Sequence, residues 1–521
     1  MECGEEIISL QFGSFANFVG AHYFNIQEAG FSYNPDFIPD IHPDRLFRTS
    51  KDKFGNYSDY TPRTVLVDDE INNSFVESCA ENNVGETWEN VSGQSENLET
   101  LPDLSAEQSQ EIRNILFKSK NLKENLTNWT DFTNIPFHPK SFTYTSKEYG
   151  LSSPESTYYL GTCCAENISF WDRFEDNIRF FAEECDSLQG FQIISEGNSA
   201  YSAIASATLH YLRDEYVKKA RILTPAYFIP ENASYYQKQV HVCNSLSLLA
   251  EVSNNVDIII PISMHQNPWN IKEPIRNVTL RNVNYQVFDK YENSAVLAAG
   301  FELITLAYRK RDELNISMKD YCEINLVGRC ISNAGILIPF PTLEIHNLPN
   351  ILKHWNGSFF NCISPFASSN YYSSVDIMYL YSKGILSKKS FDPTRNLMVE
   401  QSNEELLQHL NTFIQSTYSA KMMKHFSSSS KFRVPLTFPN VFDNNYNLVN
   451  QDFGKIGEFY GIGCLMNSNE IKNNLELLSS TALMNYRKLR LTTEQAAEID
   501  FNSLIESLNC LASNYCDQHE L

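Results

Sequence analysis

One stretch of the chain, residues 184–216, has the pattern strand, polar turn, helix. Residues 190–194 form a short apolar run of strand type, residues 195–199 are rich in turn formers, and residues 200–216 carry apolar side chains at helical spacing. One face of this helix is apolar and must lie against a sheet. In an open parallel sheet, the turn after such a strand is where ligands bind, because backbone N–H groups at the helix start point outward. The stretch therefore predicts an α/β fold with a candidate phosphate site at this turn.

A second interpretation of this turn is catalytic. The sequence Gly197-Asn198-Ser199-Ala200-Tyr201 is similar to the Gly-x-Ser-x-Gly nucleophile elbow of hydrolases, but tyrosine replaces the closing glycine. A Cβ and a ring at this position crowd the close approach of helix and strand. The hydrolase interpretation is therefore the weaker one.

Charge and cysteine content exclude several kinds of protein. The 521-residue chain has a formal net charge of −22, and a non-specific nucleic-acid binder would instead need a basic stripe, so we expect no nucleic-acid partner. Its 12 cysteines contain no Cys-x-x-Cys pair, which argues against a zinc ribbon or a thioredoxin-type site. The simplest expectation is a reducing compartment.

Targeting signals are not evident in the sequence. No apolar run approaches the roughly 18 residues that a membrane span requires. The first residues are acidic and lack the features of a signal or transit peptide. We therefore expect a protein on the cytosolic side, whose contact with any membrane is peripheral.

The amino-terminal residues repeat the strand, turn, helix pattern. Residues 7–12 read as a strand, Gly13-Ser14 as the turn, and Phe15 begins a helix with an apolar face. His22 lies on this apolar face without a second His or Cys one turn away, so we interpret it as a core residue and predict no metal site.

Several segments resemble known proteins. Residues 6–13, 60–68 and 185–192 resemble the opening strand and first nucleotide loop, the third-strand segment, and the strand before the phosphate loop of tubulins. Residues 15–29 and 183–192 are closer still to the Misato family of tubulin-like proteins. The segments occur in the order and rough spacing of that family.

This resemblance implies a tubulin-like fold. We expect an N-terminal doubly wound, Rossmann-like α/β domain, a long central helix, a smaller α+β domain and C-terminal helices. The expected bounds, in chain order, are 1–290, 291–310, 311–465 and 466–521.

An acidic segment interrupts the first of these domains. Twelve acidic residues lie between Asp68 and Glu111, and no Lys or Arg occurs between Arg63 and Arg113. The segment is rich in Asn, Ser and Gly, and it cannot bury enough apolar area to offset its ordering entropy. We interpret residues 72–105 as a mobile acidic insertion, with a docking tail for a basic partner as the alternative. A helix is predicted to follow at 105–123.

The resemblance also implies a vestigial GTP site. The glycine-rich loop of tubulins is replaced here by Ala200-Tyr201-Ser202-Ala203, so we expect GTP to bind weakly if it binds at all. Asn293 matches the asparagine that reads guanine in tubulins, although an amide at a helix N-terminus is also an ordinary cap. The expected site residues are Gly13, Ser14, Asn17, Asp68, Glu70, Gly197, Asn198, Ser199 and Asn293.

Catalysis and assembly are not expected. Residues 314–317 align with the loop through which one tubulin subunit supplies an acidic residue to its neighbour's nucleotide, but position 317 is serine. A hydroxyl cannot orient water as a carboxylate does. We therefore expect no GTPase activity, no catalytic residue, and a monomer or small closed oligomer rather than a filament.

The resemblance finally implies a cellular role. Misato-family proteins are expected to act in mitochondrial distribution, morphology and fusion, partly at the mitochondrial outer membrane and through protein partners. Two alternatives stay open. One is an active, polymerising GTPase associated with microtubules, and the other is a scaffold for the tubulin-folding chaperone machinery.

Overall fold

A parallel sheet with helices on both faces forms the first part of the molecule.

The computed structural model describes residues 5–31, 39–51, 57–69, 126–311, 316–322, 328–340, 348–365, 375–384, 398–442, 457–489 and 500–516. The predicted insertion at 72–105, the predicted helix at 105–123 and the candidate site residue Glu70 lie outside these residues.

The strands and helices are numbered separately in chain order over the described residues. The strands are β1 (Glu6–Phe12), β2 (Phe47–Lys51), β3 (Tyr57–Pro62), β4 (Thr64–Asp68), β5 (Phe142–Tyr144), β6 (Leu188–Glu196), β7 (Ala220–Tyr227), β8 (Ile258–Ile259), β9 (Ile262–Ser263), β10 (Asn333–Leu337), β11 (Asn361–Cys362), β12 (Val375–Lys383), β13 (Met422–Ser428), β14 (Phe432–Val434), β15 (Gly457–Phe459) and β16 (Gly461–Ser468). The helices are α1 (Ser14–Ala29), α2 (Tyr158–Ala165), α3 (Ile168–Glu183), α4 (Tyr201–Glu215), α5 (Tyr235–Val252), α6 (Lys290–Ile304), α7 (Leu306–Arg309), α8 (Met318–Cys322), α9 (Leu348–Lys353), α10 (Met398–Tyr418), α11 (Glu470–Asn485) and α12 (Phe501–Ser513).

The first sheet has the order β5-β4-β1-β6-β7-β8, with β9 also pairing with β7, and all of these pairs are parallel. The chain leaves the central strand β1 toward β4 and β5, and then returns to build β6, β7 and β8 on the other side. This reversal of strand order between β1 and β6 is the switch point at which doubly wound sheets bind ligands. The predicted doubly wound α/β fold is confirmed.

Alternate side chains of β1 supply two separate cores. Ile7 belongs to the apolar cluster that contains helices α1 and α6, whereas Ile8 and Leu10 belong to the cluster that contains α4 and α5. Successive side chains of a strand point to opposite faces, so both faces of the sheet are covered. The predicted strand–turn–helix stretch is confirmed as β6 followed by α4.

The central helix α6 lies between the first sheet's α1 layer and a second sheet. This second sheet has the order β11-β10-β16-β12-β13 and contains both antiparallel and parallel pairs. The α6 residues from Tyr291 to Ile304 are all buried. At Gly463 of β16 an added Cβ would come within 2.9 Å of Leu303, so the helix and the second sheet approach closely.

Two helices near the carboxyl end cover the outer side of the first domain. Gln239 of α5 donates a 2.9 Å hydrogen bond to Asn485 at the end of α11, and both side chains are buried. In α12, Leu508 and Leu511 are buried, while Leu504 is half-buried. Among the described residues, no helix combines the length and the apolar character needed to cross a bilayer.

Candidate functional site

The carboxyl ends of β1 and β6 lie side by side at the switch point of the first sheet. Phe12 pairs with Ser195, so the turns that contain Gly13 and Gly197 are neighbours although they are far apart in sequence. The end of β4 lies on the other side of β1, since Gly13 N–H donates to the Val67 carbonyl at 3.0 Å. The fold therefore brings three of the predicted site segments together at this edge.

The turn between β1 and α1 depends on glycine. Gly13 has a φ of 95°, which L-residues with a Cβ rarely adopt. Gly13 is also the N-cap residue of α1, and it has no side chain that could cap the helix. Instead, Phe15 N–H donates a 2.5 Å hydrogen bond to the Glu196 carboxylate, which comes from the end of β6. The position that a phosphate would take at this helix N-terminus is therefore held by a carboxylate of the protein itself.

Glu196 was not among the residues predicted from sequence. A Cβ added to Gly13 would lie 2.7 Å from Glu196 Cδ, so the carboxyl group sits directly against the turn. The sequence feature that could have identified Glu196 is its place as an acidic residue at the last position of the strand before the turn. Its importance depends on the pairing of β1 with β6, which places Glu196 beside the α1 N-terminus.

Asp68 is buried at the end of β4 and is held by three donors. Its Oδ2 accepts from Asn17 Nδ2 at 2.9 Å and from Trp129 Nε1 at 3.2 Å, and its Oδ1 accepts from Asp69 N–H at 2.9 Å. The pKa of Asp68 is raised to about 7, mainly by burial and also by the charges of Asp69 and Glu196, while the hydrogen bond from Asn17 acts in the opposite direction. The predicted residues Asn17 and Asp68 thus form one hydrogen-bonded pair. Trp129, which sequence reasoning did not include, donates to the same carboxylate.

The predicted residues of the β6 turn are tied to the protein. Gly197 N–H donates to the Ala226 carbonyl at 2.9 Å, and Asn198 Nδ2 donates to the Phe228 carbonyl at 2.9 Å. Both bonds fasten the turn to β7 and the residues just after it. An added Cβ at Gly197 would lie 2.6 Å from the Tyr227 ring, so this glycine is required for packing.

The Ser199 hydroxyl caps the start of α4. Its Oγ accepts from Tyr201 N–H at 3.3 Å. A nucleophilic serine would need a hydrogen bond to a side chain that acts as a base. The geometry of Ser199 favours a local cap, and the hydrolase interpretation gains no support from it.

Tyr201 fills the space beside the carboxylates. Its side chain is fully buried, and its hydroxyl lies 3.3 Å from Ser152 Oγ, which in turn donates to Asp69 Oδ1. Burial raises the pKa of Tyr201, and the charges of Asp68, Asp69 and Glu196 raise it further, so the phenol stays neutral. An aromatic ring and a chain of hydrogen bonds thus stand at the position that the resemblance aligns with the glycine-rich loop of tubulins.

Asn293 lies in the first turn of α6, but it is not the cap of that helix. The cap is Asp289, whose carboxylate accepts from Tyr291 N–H at 2.9 Å. Asn293 is completely buried, and its Nδ2 donates to the Val287 carbonyl at 2.7 Å. The cap interpretation is therefore wrong. The side chain's hydrogen bond joins it to the loop before α6 and not to the two glycine turns.

Together these groups make the switch point acidic. Glu196, Asp68 and Asp69 lie close enough for their charges to raise the pKa of Tyr201. The phosphates of a nucleotide would have to enter beside these carboxylates and displace Glu196 from the α1 N-terminus, at a cost in Coulomb energy. The residues present therefore do not fit a bound nucleotide well. Over the described part of the chain, no group of three or more His, Cys, Asp or Glu side chains is arranged to hold a metal ion.

Ser317, the residue predicted to replace the acidic position of tubulins, directly precedes α8. Its Oγ donates to Asp320 Oδ2 at 2.7 Å, and Asp320 N–H donates back to Ser317 Oγ at 3.1 Å. This reciprocal pair satisfies the start of a short helix. Asp320, the nearest described acid, is therefore engaged in capping.

Ser14, at the start of α1, is half-buried. It is the last of the predicted site residues that lie within the described part of the chain.

Comparison with known proteins identifies the fold family. The sequence model of the Misato Segment II tubulin-like domain matches residues 5–124, and that of the Tubulin domain matches residues 119–310. Protein misato of Drosophila melanogaster is 26% identical over 493 residues, which cover 84% of each chain. Protein misato homolog 1 of Danio rerio is 25% identical over 501 residues, covering 84% of this chain and 82% of the relative. The homolog of Mus musculus is 27% identical over 380 residues, covering 67% of this chain and 66% of the relative. With the doubly wound sheet and the buried central helix, these matches place the chain in the Misato family of tubulin-like proteins.

Proposed function

We propose that this chain is a non-catalytic tubulin-like protein that acts through other proteins in mitochondrial distribution, morphology and fusion. It would work from the cytosolic side, with part of the population bound peripherally at the mitochondrial outer membrane. The observation that supports its non-catalytic character is the Glu196 carboxylate on the α1 N-terminus, 2.5 Å from Phe15 N.

A helix N-terminus binds phosphate through unpaired N–H groups and the positive end of the helix dipole. Glu196 already accepts from one of these N–H groups, and its negative charge opposes a second anion. Tyr201 is buried close to the same carboxylates, and Ser317 lacks the carboxyl group that would orient water. Each of these features supports the absence of GTP turnover.

The mitochondrial role is supported by membership of the Misato family. Residues 15–29 and 183–192 resemble that family, and this resemblance implies the same mitochondrial role. Without turnover, such a role requires protein partners, at the mitochondrial surface, on the cytoskeleton or in the chaperone machinery.

Two measurements on the full-length chain test the proposal. A fluorescent GTP analogue should show at most weak binding, and phosphate release should stay at background with or without added tubulin. GTP turnover that disappears in Asp68→Asn would overturn the non-catalytic assignment. For the cellular role, depletion should disturb mitochondrial morphology in light microscopy, and both the wild-type chain and Ser317→Ala should restore it. Normal mitochondria after complete depletion would contradict the role.

A further inference from the structure

The outer sides of α3 and α4 carry a group of apolar and aromatic side chains that the protein leaves partly open to solvent. Ile168, the first residue of α3, is 77% exposed, the highest fraction among the large apolar side chains that the structure describes. Trp171, one turn further along α3, is half-buried, and its ring meets that of Tyr211 of α4 edge to face, with the centroids 5.8 Å apart. The ring of Tyr216, directly after α4, follows at 6.2 Å from Tyr211. We call these four residues the aromatic face.

The aromatic face is held in place by the core beneath it. Phe170, Phe174 and Ile178 on the inner side of α3 are buried in the apolar cluster that also contains α4 and α5. The start of α3 is fixed by Asn167, whose side chain accepts from Phe170 N–H at 3.1 Å. A single exposed apolar side chain is ordinary on a protein surface, whereas a contiguous group of them marks a surface that binds another molecule. This surface would need little rearrangement to bind.

The surroundings of the aromatic face are acidic. Helices α3 and α4 contain six acidic residues and three arginines between them, and no lysine. Burial raises the pKa of Tyr211, and the charges of Glu175 and Glu215 raise it further, whereas the charge of Arg179 lowers it. Carboxylates of both helices are therefore close to the exposed rings.

The three arginines leave this negative charge largely uncompensated. Arg179 is already paired with two acidic residues of its own helix. Arg213 donates to the loop after α5, and Arg173 lies two residues after Trp171 and so on a different side of α3. Acidic residues next to the rings, such as the exposed Asp172 and Glu215, form no ion pair within the described part of the chain.

We propose that the aromatic face binds a basic, amphipathic segment of a protein partner. Apolar side chains of that segment would pack on Ile168 and Trp171, and its Lys or Arg side chains would meet the carboxylates and the faces of the rings. Tryptophan and tyrosine are the residue types that most often carry the binding energy of protein interfaces. The inference rests on the proposed function, since it names the surface and the chemistry through which the chain would act on another protein.

Fluorescence anisotropy of the full-length chain with a labelled synthetic peptide tests this inference at physiological ionic strength. The probe is a repeat of Leu-Arg-Ala about four helical turns long, and a Leu-Glu-Ala repeat of equal length is its control. We expect Ile168→Ser to weaken binding of the basic peptide by about threefold or more, because an apolar contact is lost. The double variant Asp172→Lys/Glu215→Lys should weaken it by about tenfold or more, because attraction becomes repulsion.

Matched variants elsewhere separate the aromatic face from a general attraction of cations to an acidic chain. Met484→Ser changes another exposed apolar side chain, on α11. Glu476→Lys/Glu506→Lys makes the same change of charge at exposed positions of α11 and α12. These variants should alter the affinity by less than about twofold, because salt screens distant charges. Circular dichroism of every variant confirms that it folds.

The outcomes separate this inference from the proposed function. Absence of binding of the basic peptide, equal binding of the acidic peptide, or equal losses in the matched variants would overturn the aromatic face as a site for a basic partner. Self-association that Ile168→Ser abolishes, without peptide binding, would assign the face to a second copy of the chain instead. GTP turnover would contradict the non-catalytic assignment and leave peptide binding intact, whereas failure of peptide binding would leave the argument from Glu196 unchanged.

Discussion

Glu302 of the central helix and Lys383 of β12 form a buried ion pair between this helix and the second sheet. Lys383 Nζ lies 2.6 Å from Glu302 Oε1, and Arg309 Nη2 lies 2.8 Å from Oε2 of the same carboxylate. The exposed fractions of these three side chains are 7%, 1% and 0%. One carboxylate therefore compensates two cations where water cannot.

Replacing Glu302 by Gln should destabilise the protein strongly. Two buried cations would lose their counter-charge, and breaking a buried pair costs roughly 3–5 kcal/mol in the free energy of unfolding. Lys383→Met should cost less, since Arg309 still pairs with Glu302. Urea unfolding monitored by circular dichroism gives both values.

The matched control is Glu273→Gln, which removes an exposed pair with Arg276. Such pairs contribute about 0–1 kcal/mol. If Glu302→Gln were no more destabilising than this control, the buried pair would not be an important link between the central helix and the second sheet.

His22 should make the protein sensitive to acid. Burial lowers its pKa to about 3, against a weaker opposing effect of its hydrogen bond with the Tyr291 carbonyl. Because the unfolded state binds the proton near pH 6.5 and the folded state does not, stability falls as pH falls from about 6.5 toward 3, by at most about 1.4 kcal/mol per pH unit. His22→Phe keeps the stacking on Phe132 and removes this loss. Urea unfolding at several pH values should therefore give a flatter stability profile for the variant, while His409→Phe at an exposed position should follow the wild type.

Asp68 should titrate near neutral pH. Its pKa of about 7 lies above the ordinary value, so its contribution to stability is complete below about pH 4 and is lost as pH rises through 7. Trp129 donates to this carboxylate and should report the same event. We expect a change in tryptophan emission with a midpoint near pH 7 that is absent in Asp68→Asn. An unchanged transition in the variant would assign it to another group.

Gly161 should tolerate no side chain. It lies in α2, and a Cβ there would clash with the Ala200 carbonyl oxygen in the turn before α4. Gly161→Ala should destabilise by about 1–3 kcal/mol, the usual cost of overpacking. The control Gly30→Ala places a Cβ 3.1 Å from a carbonyl at an exposed helix end and should cost much less. Equal unfolding midpoints for the two variants would show that α2 moves aside freely.

Filament formation should not occur. A head-to-tail filament of the tubulin type needs complementary nucleotide and cap surfaces. Here Glu196 lies at the nucleotide surface, and at the cap surface Ser317 is paired with Asp320. Sedimentation and negative-stain microscopy with GTP should find a monomer or small closed oligomer. Protofilaments that depend on nucleotide would refute this expectation.

The local pattern of the sequence predicted the elements well. The short apolar run identified β6, because both faces of this strand are buried, and the helical spacing after it identified α4, because that spacing reflects burial of one helix face. Asn293 shows where this reasoning failed. An amide near a helix N-terminus suggested a cap, although Asp289 stands directly before the helix and is an equally good capping residue.

The candidate site was predictable only in part. Gly13 and Gly197 could be recognised as strand-to-helix turns, but the contact of Glu196 with Phe15 spans 181 residues and follows from the β1–β6 register. Parallel pairing joins distant segments, and single-sequence patterns do not carry that information.

The burial of α6 from Tyr291 to Ile304 also determines how the chain can be divided. A fragment that ended before Lys290 would expose to solvent the surface of α1 that α6 covers. A fragment that began after Arg309 would expose the face of the second sheet that packs on α6. Both fragments would present large apolar surfaces to water and would aggregate rather than fold. Binding regions of such a chain can be separated by point substitutions, and not by deletion.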